Sequence, residues 1–92
     1  MEKTYVGIDP GQIGFITALF PDGHKEFYSI DEHDDLDLGR IFKDIKKRSW
    51  EVVACMEQIH AIFGASAGST FSFGAIFGTL KGLLIANEIP YH

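Results

Sequence analysis

Two apolar runs in this chain end abruptly on an acid. Tyr5-Val6-Gly7-Ile8 leads into Asp9 and then Pro10-Gly11, and Val53-Ala54-Cys55-Met56 leads into Glu57 and then Gln58. A segment built for burial that delivers a carboxylate at its end restricts the fold more than any other feature here. Asp and Glu are almost never buried unpaired, because an ionised carboxylate taken out of water either destabilises the fold or has its pKa driven upward. If both runs are parallel strands of one sheet, Asp9 and Glu57 emerge at the same edge, where α/β sheets bind their ligands. A divalent cation shared between the two acids removes the penalty. Ligands offering only oxygen suit Mg²⁺, with Mn²⁺ as a substitute, rather than zinc, which prefers Cys and His.

A length of 92 residues bounds the chain to one domain with a thin core. The hydrophobic fraction of 46%, with eight Phe, excludes disorder, and the single Cys55 excludes a disulfide framework and fits a reducing, cytoplasmic setting. Met1-Glu2-Lys3-Thr4 passes straight into a strand, without the charged lead and apolar run of a signal peptide. The longest apolar stretch, Phe71 to Ala86, is interrupted by Ser72, Thr79 and Lys81 and is too short for a bilayer, so it reads as a buried helix of a soluble protein. A net charge of −5 argues against a free-standing nucleic-acid binder, since phosphate contacts need Lys and Arg. Acids gathered at a metal site and at a helix start account for the excess equally well.

Along the chain, Tyr5–Asp9, Gly14–Phe20 and His24–Ile30 read as three strands of an antiparallel meander, with Pro21-Asp22-Gly23 as the second reversal. The acidic segment 31–37 leads into a helix with Leu38, Ile41, Phe42 and Ile45 on one face and Lys46-Lys47-Arg48 at its end, so charge complements the helix dipole at both termini. This charge pattern reads as a solvated helix rather than a functional patch. Trp50–Met56 is a fourth strand, apolar on both faces as in a central strand covered by helices. A Gly/Ser loop, Gly64 to Thr70, precedes a helix from Phe71 to Asn87. Gly74, Gly78 and Gly82 give that helix a smooth stripe, for which two readings stand: a dimer interface, or close packing on this domain's own sheet. Ile89-Pro90-Tyr91-His92 reads as the start of a fifth strand.

The order strand, strand, strand, helix, strand, helix, strand, with acids ending the first and fourth strands, resembles the ribonuclease H-like superfold. Within it, Gly7-Ile8-Asp9-Pro10-Gly11 with Gly14, and Met56-Glu57-Gln58-Ile59-His60 followed by the Gly/Ser loop, Phe71-Ser72-Phe73-Gly74 and Asn87-Glu88-Ile89-Pro90, resemble the RuvC family of Holliday-junction resolvases, in the form found in phages and prophages. The resemblance spans nearly the whole chain. It implies an α/β fold with a mixed sheet in the strand order 3-2-1-4-5, flanking helices, and a single incomplete domain over 1–92. It further implies a Mg²⁺-dependent endonuclease that cuts branched, four-way-junction DNA in recombination and repair as a homodimer.

Carried over by position, Asp9 and Glu57 are the first two of that family's four metal-binding acids; the other two lie beyond His92. Two carboxylates are too few for two ions, so the resemblance implies weak or no cleavage by these 92 residues alone. His60 and Phe63 resemble the segment that probes the junction centre, where a ring stacks on an unpaired base; the alternatives are that Phe63 caps the core and His60 hydrogen-bonds Glu57. Ser69 and Thr70 either offer a DNA contact at the helix start or serve as its N-cap. The Gly/Ser loop lacks both the spacing and the Lys of a P-loop. Taken singly, Asp9 also suits a turn before Gly11, and Glu57 a surface strand end. Cys55 reads as a small buried hydrophobe, Tyr28 and Trp50 as core or edge packing, and His24, His33 and His92 lack companions at ligand spacing.

Two rival readings remain. Actin-like ATPases and sugar kinases also open with Gly-Ile-Asp and a hairpin, but they show Gly-Thr or Gly-Ser-Thr soon after the acid, where this chain has Gln12-Ile13-Gly14. A non-catalytic dimerisation or DNA-binding module, with the acids as remnants, is the other.

Overall fold

The structure, a computed structural model, describes residues 2–11, 14–57 and 67–92, with backbone alone for 67–73. The elements in chain order are β1 (Lys3–Asp9), β2 (Phe15–Leu19), β3 (Lys25–Ser29), α1 (Asp35–Lys47), β4 (Glu51–Met56) and α2 (Ala67–Ala86). The fold is α/β, with a mixed four-stranded sheet in the order β3-β2-β1-β4. β1, β2 and β3 form the expected antiparallel meander, and β4 joins β1 in parallel.

Local chemistry accounts for the connections. Gly23 adopts φ +90°, which a side chain would disfavour, and its N–H donates to the Phe20 carbonyl at 2.9 Å to close the β2–β3 turn. Asp34 caps α1 by accepting from the Asp37 N–H at 2.8 Å, with Asp35 and Asp37 in the first turn and Lys46 and Lys47 in the last. Glu88, at φ 56°, ends the α2 segment in the left-handed region. Ile89 N–H donates to the Leu84 carbonyl and Glu88 N–H to that of Ile85, forming a Schellman closure that turns Ile89 into the core.

The core lies between one face of the sheet and the two helices. Val6, Ile8, Ile16, Ala18, Val52, Ala54 and Met56 meet Leu38, Phe42 and Ile45 of α1 and Leu80 and Leu84 of α2. The helices themselves approach closely at Gly39, where an added Cβ would lie 3.4 Å from Leu83.

Among the described residues nothing packs on the opposite face of the sheet, which corrects the expectation of a β4 covered on both sides. Tyr5, Phe15, Leu19 and Phe27 are exposed there, Val53 is only half-buried, and Cys55 is exposed rather than buried. Trp50 is likewise 78% exposed and is not core packing, whereas Tyr28 does pack against the core. The expected five-strand order is also not found. Residues 90–92 run beside β4 as an isolated parallel bridge between Tyr91 and Ala54, supported by backbone bonds that include His92 N–H to Ala54 O at 3.0 Å. Helix α2 starts at Ala67, four residues before the expected Phe71, and it is half-buried, with Lys81, Gly82 and Ile85 on the outside. Among the described residues no helix is long and apolar enough to cross a membrane.

Candidate functional site

The parallel register pairs Ile8 with Met56, and the Glu57 N–H continues it by donating to the Ile8 carbonyl at 3.0 Å. Asp9 and Glu57 therefore stand side by side at the end of β1 and β4, on strands about 4.8 Å apart. Both side chains are exposed, which corrects the expectation of a burial penalty at these acids.

Asp9 is oriented from within its own loop. Its Oδ1 accepts from the Gly11 N–H at 3.0 Å, so the turn role that the sequence also offered is realised, and the remaining oxygen lone pairs stay available. Gly14 lies back against the end of β1. Pro10 is buried, and a Cβ on Gly14 would lie 2.7 Å from the Asp9 carbonyl oxygen and 2.8 Å from Ile30 Cδ1. Gly14 O in turn accepts from the Ile30 N–H at 2.9 Å, tying the loop to the end of β3. Glu57 has no salt-bridge partner among the described residues.

Two neighbouring carboxylates repel each other, and a shared cation relieves the repulsion. All the donors are oxygens open to water, so the pair fits Mg²⁺, which keeps several waters and takes one or two protein carboxylates. Among the described residues no three His, Cys, Asp or Glu side chains converge on one point, so the site contributes two acids.

The other expected site residues fare differently. His60 and Phe63 lie outside the described residues. Ser69 and Thr70 fall within α2, which begins at Ala67, so neither is its N-cap. Gly74, Gly78 and Gly82 are exposed, and a Cβ at any of them would meet nothing within 4 Å. The alternative of packing on the domain's own sheet is thereby removed; α2 uses Leu80 and Leu84 for that.

Sequence reasoning missed a cleft of about 290 Å³ between the β3–α1 connection and α2, with Ile30, Leu38 and Ile76 in its apolar lining and Asp31, His33 and Asp35 in its polar lining. The acidic run was legible only as a helix lead-in. The Nδ1 of His33 donates to the Ser29 carbonyl at 2.6 Å, and its ring meets Tyr28 edge-on.

The strongest electrostatic coupling lies in another cluster. Arg48, following α1, forks onto Glu26 of β3, with Nη1 to Oε2 at 2.9 Å, while Tyr28 donates its hydroxyl to the same carboxylate. Arg48's hydrogen bond, and then Tyr28's, hold the Glu26 carboxyl down at about 2. Burial, and then the bond to Glu26, push the Tyr28 phenol up to about 12. Arg48 also stacks 4.6 Å from the Phe20 ring centroid and bonds Asp44 at 2.9 Å. This cluster clips α1 to the hairpin and is structural. Comparison with protein-family models and with curated proteins finds no match to this chain.

Proposed function

We propose that this chain is the N-terminal part of a ribonuclease H-like, RuvC-type endonuclease acting on branched DNA, with Asp9 and Glu57 as metal-holding residues. The observation that carries the reading is the Glu57 N–H to Ile8 carbonyl bond, which sets the two acids beside each other at the carboxyl ends of two parallel strands, the end where α/β sheets usually bind ligands. The order of elements, three antiparallel strands followed by a helix and a parallel strand, supports the same reading.

In this proposal Asp9, held by the Gly11 N–H, presents its free oxygen at a fixed position, and Glu57 supplies the neighbouring charge. A bound Mg²⁺ would supply the positive charge that polarises a phosphodiester and lowers the pKa of a water. The further acids that a two-ion site needs come from sequence beyond His92, so the 92-residue chain is proposed to bind metal and to cleave weakly or not at all. Four-way-junction DNA and a second copy of the chain are the proposed partners.

Calorimetric titration with Mn²⁺ tests this reading. Saturable binding that disappears in both Asp9→Asn and Glu57→Gln, with unchanged circular dichroism, is the expected result. Equal heats from the wild type and both variants overturn it and favour a non-catalytic module.

A further inference from the structure

The two edges of the sheet differ. β4 is flanked by residues 90–92, whereas β3 has no neighbour on its outer side among the described residues. In the β2–β3 hairpin the inward bonds belong to even-numbered residues: Phe20 N–H donates to His24 O, and Ile30 N–H donates to Gly14 O, both at 2.9 Å. Alternation along an antiparallel ladder then turns the N–H and C=O groups of Lys25, Phe27 and Ser29 outward. Among the described residues only the Ser29 carbonyl is engaged, by His33, and it keeps a second lone pair. Phe27, at the centre of this row, is 65% exposed, more than any other large apolar side chain of the sheet. Natural sheets rarely leave such an edge unmanaged.

We propose that β3 pairs with β3 of a second copy, antiparallel about a twofold axis through Phe27, so that the two sheets become one. The outward row is self-complementary in this arrangement. Phe27 faces Phe27 of the second copy as a hydrogen-bonded pair, and Lys25 faces Ser29 on either side. Charge selects the antiparallel direction. In this register Lys25 lies diagonally across from Asp31 of the second copy on the same face of the joined sheet, the one favourable charge contact of the pairing, while Glu32 falls opposite Asp22. Parallel pairing sets like beside like. The two Phe27 rings also join the open faces into one apolar surface with Phe15, Leu19 and Tyr5. The contact is smaller than that of a tight complex, so the dimer is weak and concentration-dependent. It uses neither the glycine stripe of α2 nor the metal reading.

The full 92-residue chain with Cys55→Ser, which removes the exposed native thiol, provides the test. Across a hydrogen-bonded antiparallel pair the Cα atoms are about 5.5 Å apart, within disulfide range. Adding Phe27→Cys is expected to give a covalent dimer on mild oxidation, whereas Lys43→Cys on α1 stays monomeric. In sedimentation equilibrium the wild type is expected to dimerise, Lys25→Glu to weaken the dimer severalfold, and Lys25→Glu with Asp31→Lys to restore it. Phe27→Pro removes the outward N–H and the exposed Phe27 ring together, leaves the inward ladder bonds of the even-numbered residues in place, and is expected to abolish the dimer while circular dichroism is unchanged. A wild type that is monomeric at every concentration, or a dimer indifferent to Lys25→Glu and Phe27→Pro, overturns the proposal.

Discussion

A Cβ built on Gly14 would sit 2.7 Å from the carbonyl oxygen of Asp9, closer than any real Cβ contact. Gly14 can therefore lie against the backbone of the first acid of the candidate site only because position 14 carries no side chain. Gly14→Ala is expected to lose about 1–3 kcal/mol by overpacking and to weaken Mn²⁺ binding through displaced Asp9. Gly7 in the same strand has nothing within 4 Å of an added Cβ, and Gly7→Ala is expected to gain about 0.5–1 kcal/mol. Urea unfolding of the two variants side by side separates crowding from a generic glycine effect.

The adjacent acids make a stability prediction opposite in sign to the functional one. Without metal, Glu57→Gln removes a like-charge neighbour of Asp9 and is expected to leave the fold unchanged or to stabilise it by about 0.2–1 kcal/mol. Asp9→Asn behaves similarly because Asn keeps an oxygen for the Gly11 N–H, whereas Asp9→Ala loses that bond, about 1 kcal/mol. Thermal melts in chelator and then in Mn²⁺ should show the wild type alone gaining from the ion.

The Glu26–Arg48 clip predicts an acid limb of stability. Glu26 titrates near 4.5 when unfolded and at about 2 when folded. Its contribution is therefore full above about 4.5 and disappears as pH falls from there towards 2. Because Arg48 is partly exposed, solvent screening holds the loss to about 1 kcal/mol. Glu26→Gln should flatten this limb in denaturation measured across that range. Tyr28, raised from 10.0 to about 12, gives the alkaline counterpart: its contribution is present below 10 and falls as pH rises towards 12.

Glu88 occupies a left-handed backbone position that favours glycine. Glu88→Gly keeps the carbonyl that accepts from Lys46 Nζ at 3.1 Å and is expected to raise stability by about 0.5–1 kcal/mol. An unchanged or lowered melting temperature would count against strain at this position.

What the sequence made legible was local. The Pro21-Asp22-Gly23 reversal, the Asp34–Lys47 charge gradient of α1 and the Leu38-Phe42-Ile45 stripe each follow from residues within a few positions of one another. The faces of the sheet were not legible, because Val52-Val53-Ala54-Cys55-Met56 is apolar throughout and only tertiary packing determines that Val53 and Cys55 look outward. The spacing of Gly74, Gly78 and Gly82 establishes that they share a face, not what that face meets. For the site, residue type and strand ends identified Asp9 and Glu57, whereas their neighbourhood depends on a pairing of β1 with β4 that no local pattern encodes.

That pairing also differs from the others in its reach along the chain. β1, β2 and β3 are joined by short turns and can form early, since nearby contacts close with little loop entropy. β4 pairs with β1 across the whole of α1 and the β2–β3 hairpin, the longest-range contact among the four strands. The two-acid edge exists only in a chain in which β4 has docked on β1. A ligand needing both carboxylates would report the completion of folding, and a chain arrested at the hairpin would have nothing to offer it.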